Sequence, residues 1–264
     1  MDKKIVFFDI DGTLIDEETH LIPNSTKEAL KNLKANGNLA FINTGRPIFE
    51  ITDYIRSFDF DGYICGCGTY IEFNNEVLFY KSLGNKLSLE LAKDIKLFNL
   101  EGILEGRYDI YFDKIENIKN SNVLRIMEQH KREGFFTGST LDDQSMDVDK
   151  LVIFCNESSN FLGFYNKYKN VFDFIKRSDN FYELVPNGYS KASGIKFIID
   201  YLNIPLENTY AIGDSTNDLS MLQYVENSIA MGNSNPEIFD LVSYKTTSVN
   251  DNGIYNALKH YNLI

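Results

Sequence analysis

The chain has 264 residues, 43% of them apolar and 14% aromatic, with 38 acidic against 26 basic side chains and a formal charge of −12. This composition supports a real core, excludes a disordered chain, and at this length fits two units or one large α/β domain. The acidic balance argues against nucleic acid and against anionic membrane as partners, because phosphate surfaces demand a basic face.

The first element is the stretch VFFDIDGTLI at 6–15. Residues 5–8 read as a buried strand, and Asp9 and Asp11 arrive where it should end. Two like charges one residue apart repel, and a neighbouring core raises the cost of keeping both ionised. Taken alone, Asp11-Gly12 is simply a solvated turn. The segment NSTKEALKNLKANG then reads as a helix, with Ser25 and Glu28 as a capping box and Gly37 as its stop. Residues 38–43 follow as a strand, then TGRP, with Pro47 opening a helix over PIFEITDYIRSF. Residues 62–66 form a third strand, and TYIEF-NN-EVLFY alternates around Asn74-Asn75 as a hairpin. Strand and helix alternating at this spacing predict parallel βαβ units.

From Gly84 to Val185 the rhythm changes to an α+β pattern. Helices are expected over 87–99, 122–132 and 160–172, and strands over 108–114, 150–156 and 180–185. Turn-rich linkers KSLGN and VPNGYS flank it. From Lys191 the α/β rhythm resumes, with a helix through Tyr201, strands at 208–212 and 227–231, and a C-terminal helix. The expected architecture is a doubly wound, Rossmann-like parallel sheet built from residues 1–83 and 186–264, with an α+β unit inserted at 84–185. The insertion holds 14 basic and 17 acidic residues, leaving 12 against 21 for the remainder. The acidic surplus thus lies with Asp9 and Asp11, which suits a divalent cation.

Cys65, Cys67 and Cys155 form no CxxC pair, so a reducing compartment is expected rather than a disulfide framework or a zinc knuckle. His20, His130 and His260 are scattered and build no ligand cluster. No apolar run approaches membrane-spanning length, and Asp9 interrupts the first one too early for a signal peptide. A cytoplasmic protein is expected.

Ligands of open α/β sheets bind beyond the carboxyl ends of the strands. Four segments put polar groups there: Asp9 with Asp11, Thr44-Gly45-Arg46, Lys191 opening a helix, and GDSTND with Asp214, Asn217 and Asp218. Each alone is ordinary turn or cap chemistry; the combination in this order is not.

With these residues the chain resembles the haloacid dehalogenase superfamily, and within it the Cof-type small-molecule phosphatases with an α/β cap (class IIB). DIDGT at 9–13 matches the first motif, Thr44 the second, Lys191 the third and GDSTND at 213–218 the fourth. The resemblance implies Asp9 as the nucleophile that carries an aspartyl-phosphate and Asp11 as the general acid/base. It implies Mg²⁺ held by Asp9, the Asp11 carbonyl and Asp214, with Asp218 acting through water. Thr44, the Gly45 N–H and Asn217 would hold phosphate oxygens, and Lys191 would supply the counter-charge. The implied substrate is a small phosphorylated metabolite, such as a sugar phosphate or phosphorylated vitamin, and the implied state is a monomer or small homo-oligomer.

A sugar phosphomutase or phosphotransferase on the same scaffold is the alternative. A binding protein on an inactive scaffold would not need both Asp9 and Asp11. One departure is Cys67 in CGCG at 65–68, where this branch commonly has Asn; it is expected as small-residue packing. Tyr108, Tyr111, Phe112, Phe135 and Phe136 of the insertion are expected in its core.

Overall fold

The computed structural model describes residues 3–264. In chain order the elements are β1 (Ile5–Phe8), α1 (Asn24–Ala35), β2 (Leu39–Asn43), α2 (Asp53–Arg56), β3 (Gly62–Cys65), β4 (Tyr70–Phe73) and β5 (Glu76–Tyr80). Next come α3 (Asn85–Leu97), β6 (Glu101–Glu105), β7 (Ile110–Tyr111), α4 (Ser121–Glu133), β8 (Lys150–Phe154), α5 (Phe161–Tyr168), β9 (Phe172–Ser178) and β10 (Phe181–Pro186). The chain closes with α6 (Lys191–Leu202), β11 (Thr209–Gly213), α7 (Leu219–Tyr224), β12 (Asn227–Ala230), β13 (Tyr244–Lys245) and α8 (Gly253–His260).

Contacts divide the chain into two units: residues 1–46, 51–80 and 189–264, and residues 47–50 with 81–188. The first unit carries an eight-stranded sheet in the order β13-β12-β11-β1-β2-β3-β4-β5. Strand β1 is buried along its whole length and pairs in parallel with β11 on one side and β2 on the other. Burial on both faces is why it reads as a continuous apolar run rather than an alternating one. On one face Phe7, Phe41, Ile64 and Ala211 pack with Ile195 and Ile198 of α6 and with Met221 and Leu222 of α7. Each such buried aliphatic or aromatic side chain contributes about 1.5–3 kcal/mol. The alternate residues Val6, Phe8 and Ile42 are equally buried, and α1 lies against β2 and beside α8.

The hairpin forms at Asn74-Asn75, both at positive φ (49° and 64°), a backbone that asparagine tolerates. Two local expectations fail. The capping box of α1 does not form: Pro23 occupies the N-cap position with no side-chain cap, and Ser25 lies inside the first turn. The single helix after Pro47 is instead a 3₁₀ turn at Ile48–Glu50 and the short α2, because Thr52 adopts extended backbone and caps Ile55 N at 3.3 Å. Strand β13, two residues long at the sheet edge, lies in a stretch that carries no alternation.

The second unit is a five-stranded sheet in the order β7-β6-β8-β10-β9, with antiparallel pairing throughout. Leu104, Leu151, Ile153 and Leu184 pack on α3 and α5, while Ile103, Val152 and Phe154 pack with Val123 and Met127 of α4. Strands β6 and β9 were not expected. The apolar run through Phe172 reads as a helix continuing from 160, yet α5 stops at Tyr168 and Phe172 opens β9. Of the expected core aromatics, Phe112 is fully buried and Tyr111, Phe135 and Phe136 are partly so, but Tyr108 is 77% exposed. Lys150 is buried between Glu105 (2.6 Å) and Glu183 (3.0 Å) on three neighbouring strands.

Helix α6 approaches the sheet closely at Gly194, where a Cβ would stand 2.4 Å from Ile64 Cγ2. Ile64 is fully buried and stiff at χ1, so it has little room to yield. Gly194→Ala should therefore lower stability by about 1–3 kcal/mol, the usual cost of overpacking. An unchanged thermal midpoint would contradict this account of the helix's seat.

Candidate active site

Because β1, β2, β3 and β11 run parallel, their carboxyl ends share one edge of the sheet. Asp9 follows β1 and extends the ladder by one bond, its N–H donating to Ile212 O at 3.0 Å. Thr44 follows β2, Asp214 follows β11, and Lys191 is the first residue of α6, capped by Ser190. The chain order reverses on either side of β1, which makes this edge the switch point where open α/β sheets hold ligands.

Lys191 is buried, and its ammonium donates to Asp9 Oδ1 and Asp218 Oδ1, both at 2.5 Å. The other Asp218 oxygen accepts from the N–H groups of Asp214 (2.9 Å) and Ser215 (3.1 Å). Asp218 thus pins both the lysine and the loop that carries Asp214. One oxygen from each of Asp9, Asp214 and Asp218 lies within 4.8 Å of the others. Three carboxylates face one ammonium, and two of them, Asp9 and Asp214, hold their protons far above the usual carboxylate range. Burial first, then Asp218, push Asp9 up to about 7; burial first, then Asp9 and Asp218, push Asp214 up to about 8. Burial works against the Lys191 ammonium, but the two aspartates outweigh it and hold its pKa above the usual value. An excess of buried carboxylate oxygens with nothing but oxygen donors fits a hard divalent cation.

Gly12 has φ +74°, and a Cβ there would stand 2.5 Å from Asp214 Oδ2, so only glycine lets the first loop pass this carboxylate. Thr44 Oγ1 accepts from Arg46 N at 3.1 Å, which leaves the hydroxyl hydrogen as a donor. Asn217 Oδ1 accepts from Ser215 Oγ, which turns the amide nitrogen into the donor end. The CGCG stretch packs as small buried residues, as expected, and also braces the loop: Gly66 N donates to Arg46 O (2.8 Å) and Cys67 N to Thr44 O (3.1 Å). Cys67 is buried there in a left-handed backbone, φ 54°, a conformation that asparagine adopts more readily.

Asp9, Asp214, Asp218 and Lys191 therefore come together, with Thr44, Gly45 and Asn217 in loops at the same edge. Asp11 stands outside the buried group, half-exposed and paired with Arg46. Arg46 was placed at this edge by the sequence but given no role, and three supporting residues were missed: Thr13 (Oγ1 to Asp214 Oδ1, 3.4 Å), Asn43 (Nδ2 to Lys191 O, 3.0 Å) and Asn233 (Nδ2 to Gly12 O, 2.8 Å). Thr13 and Arg46 lie inside the quoted motifs and could have been flagged. Asn43 and Asn233 carry no local signal. His130 instead pairs with Glu50 at 3.0 Å and His260 stacks on Tyr244.

Residues 6–258 match the family model described as haloacid dehalogenase-like hydrolase. The chain belongs to this family. It is 30% identical over 271 residues to Putative phosphatase YkrA of Bacillus subtilis (strain 168), covering 100% of both chains. Among solved structures it is similar to a hypothetical protein from Geobacillus kaustophilus HTA426 (29% identity, 99% of this chain and 100% of that one, TM-score 0.83). It is also similar to the HAD subclass IIB sugar phosphatase BT4131 (28% identity, 99% and 100%, TM-score 0.82). The family and its phosphatase relatives make the chain a hydrolase of the Cof-type, class IIB phosphatase group, with an acid cluster that could hold a metal ion. Among the described residues no helix is long and apolar enough to cross a membrane.

The raised carboxylates make the metal-free protein sensitive to pH. Asp9 and Asp214 bind protons more tightly folded than unfolded, where the ordinary value is 3.8. Their contribution to stability is therefore greatest at low pH and falls as pH rises from about 4 through 7–8, by up to about 1.4 kcal/mol per pH unit for each group. Thermal midpoints in chelator should drop between pH 6 and pH 8.5. A flat profile in chelator would contradict the shared burial of these carboxylates.

Proposed function

We propose that the enzyme is a magnesium-dependent phosphatase of small phosphate monoesters, sugar phosphates and phosphorylated vitamins among them, working through an aspartyl-phosphate at Asp9. The observation that carries this reading is the buried Lys191 gripping Asp9 Oδ1, beside the Asp214 carboxylate. With Oδ1 held, Oδ2 is the oxygen offered to phosphorus. Free cysteines and an acidic surface fit a cytoplasmic setting.

The site residues suit magnesium: the Asp9 and Asp214 carboxylates and the Asp11 carbonyl would hold it, with Asp218 reaching it through water. Bound there, the ion would offset clustered negative charge and polarise phosphate oxygens. The protein's own groups do the rest. The Thr44 hydroxyl, the Gly45 N–H and the Asn217 amide orient the phosphate, and Lys191 stabilises charge that builds on it. Asp9 attacks phosphorus, the ester P–O bond breaks, and the leaving oxygen takes a proton from Asp11. Water then attacks the acyl phosphate, Asp11 takes its proton, and inorganic phosphate departs with Asp9 restored. The sugar phosphatase likeness supports a small polar leaving group, and residues 84–185 are proposed to select it.

A phosphate-release screen over phosphorylated metabolites tests the reading. Activity should require magnesium, vanish in chelator, and need no bisphosphate activator. Asp9→Asn should lower kcat by more than about 10³-fold, since a lost nucleophile costs several kcal/mol of barrier. Release by Asp9→Asn within about tenfold of the parent would refute the assignment. Replacing residues 84–185 by a Gly/Ser linker should leave weak nitrophenyl phosphate hydrolysis without the parent's ranking of metabolites. A soluble deletion that kept the ranking would place specificity in the sheet domain.

A further inference from the structure

We propose that Arg46 is a positioning residue for the general acid/base, a fork that sets the direction of the Asp11 carboxylate. The inference rests on the reading of Asp11 given above. Arg46 Nε donates to Asp11 Oδ2 at 2.9 Å, and one terminal nitrogen donates to Asp11 Oδ1. Planar guanidinium and planar carboxylate thus meet through two parallel bonds, the arrangement in which arginine confers orientation rather than mere charge.

The two partners come from loops after different strands, 35 residues apart in sequence. Arg46 is launched from a rigid base. Its N–H is held by the Thr44 hydroxyl and its carbonyl by Gly66 N. Asp11 has no such base for its side chain. The carboxylates of Asp9 and Asp218 are locked by Lys191 and that of Asp214 meets Thr13, whereas the Asp11 carboxylate is about half exposed. Half-exposed ion pairs add little stability, so this pair is better understood through geometry than through folding.

An acid that becomes a base within one turnover must keep its oxygen on the line of the leaving group and then of the entering water. A side chain free to change rotamer loses that alignment, and misplacement by about 1 Å can cost about 10²-fold. The fork leaves the chemistry open. Each carboxylate oxygen has a second lone pair, so Asp11 can pass its proton to the leaving oxygen and later take one from water. Arg46 stays protonated throughout.

The test is a double-mutant cycle with two substrates, an alkyl monoester from the screen and nitrophenyl phosphate, whose leaving group needs little protonation. Arg46→Ala should lower kcat for the alkyl ester about 10–100-fold, within the range of a general acid, with KM moving less than about threefold. The loss should be smaller for nitrophenyl phosphate. Arg46→Lys should not restore activity, because one ammonium cannot fork, while added guanidinium at non-denaturing concentration should rescue Arg46→Ala. In the Asp11→Asn background, followed with nitrophenyl phosphate, Arg46→Ala should cost less than about threefold more, since both changes remove one function.

A loss that multiplies in the Asp11→Asn background, or that falls on KM and on inhibition by inorganic phosphate for both substrates alike, would make Arg46 a phosphate ligand and overturn the proposal. Parental kinetics in Arg46→Ala would overturn it as well. Failure of the underlying reading has its own signature: Asp11→Asn alone would then match the parent on the alkyl ester.

Discussion

The buried ammonium of Lys191 lets two carboxylates, Asp9 and Asp218, sit side by side in a protein interior. Buried ion pairs seldom stabilise a fold beyond what apolar packing would give, and removing one member leaves a charge stranded at a cost of about 3–5 kcal/mol. The arrangement is therefore best explained by what it makes available. It keeps a carboxylate in a water-poor place, aimed by its neighbour, and leaves the cluster with more negative charge than the lysine can match. Burial first, and that surplus after it, keep protons on Asp9 and Asp214 up to about 7 and 8, and the surplus suits a hard cation.

Much of the scaffold serves to bring the lysine to that point. Parallel pairing aligns the carboxyl ends of β1, β2 and β11, and the close seat of α6 on Ile64 fixes where its first residue falls. Asn43, at the end of β2, holds the Lys191 carbonyl. The glycine-cysteine brace after β3 then ties the Thr44–Arg46 loop to the same edge. Positions that do no chemistry thus set the distances among those that do.

The sheet was legible because its central strands are apolar on both faces and end in charged or turn residues. Residues 5–8, 38–43 and 62–66 stand within a residue of β1, β2 and β3. The site was legible because its charged residues fall at strand ends and helix starts in a fixed order. What escaped depends on partners distant in sequence. Asn43 and Asn233 act only through contacts that folding creates. The helix after Pro47 failed because Thr52 could restart it as well as continue it. Strand β9 was lost because a short apolar run has no period of its own when it follows a helix. Tyr108 shows the limit of composition, since an aromatic in a rich stretch is still free to face water.

The central claim is that Asp9 becomes covalently phosphorylated, and the direct measurement is acid quench of the magnesium-loaded enzyme during turnover, followed by mass spectrometry of its peptides. The account predicts a phosphoryl adduct on the peptide containing Asp9, labile to hydroxylamine and absent without magnesium. Full turnover with no adduct on that peptide at any quench time, or an adduct on another side chain, would contradict it.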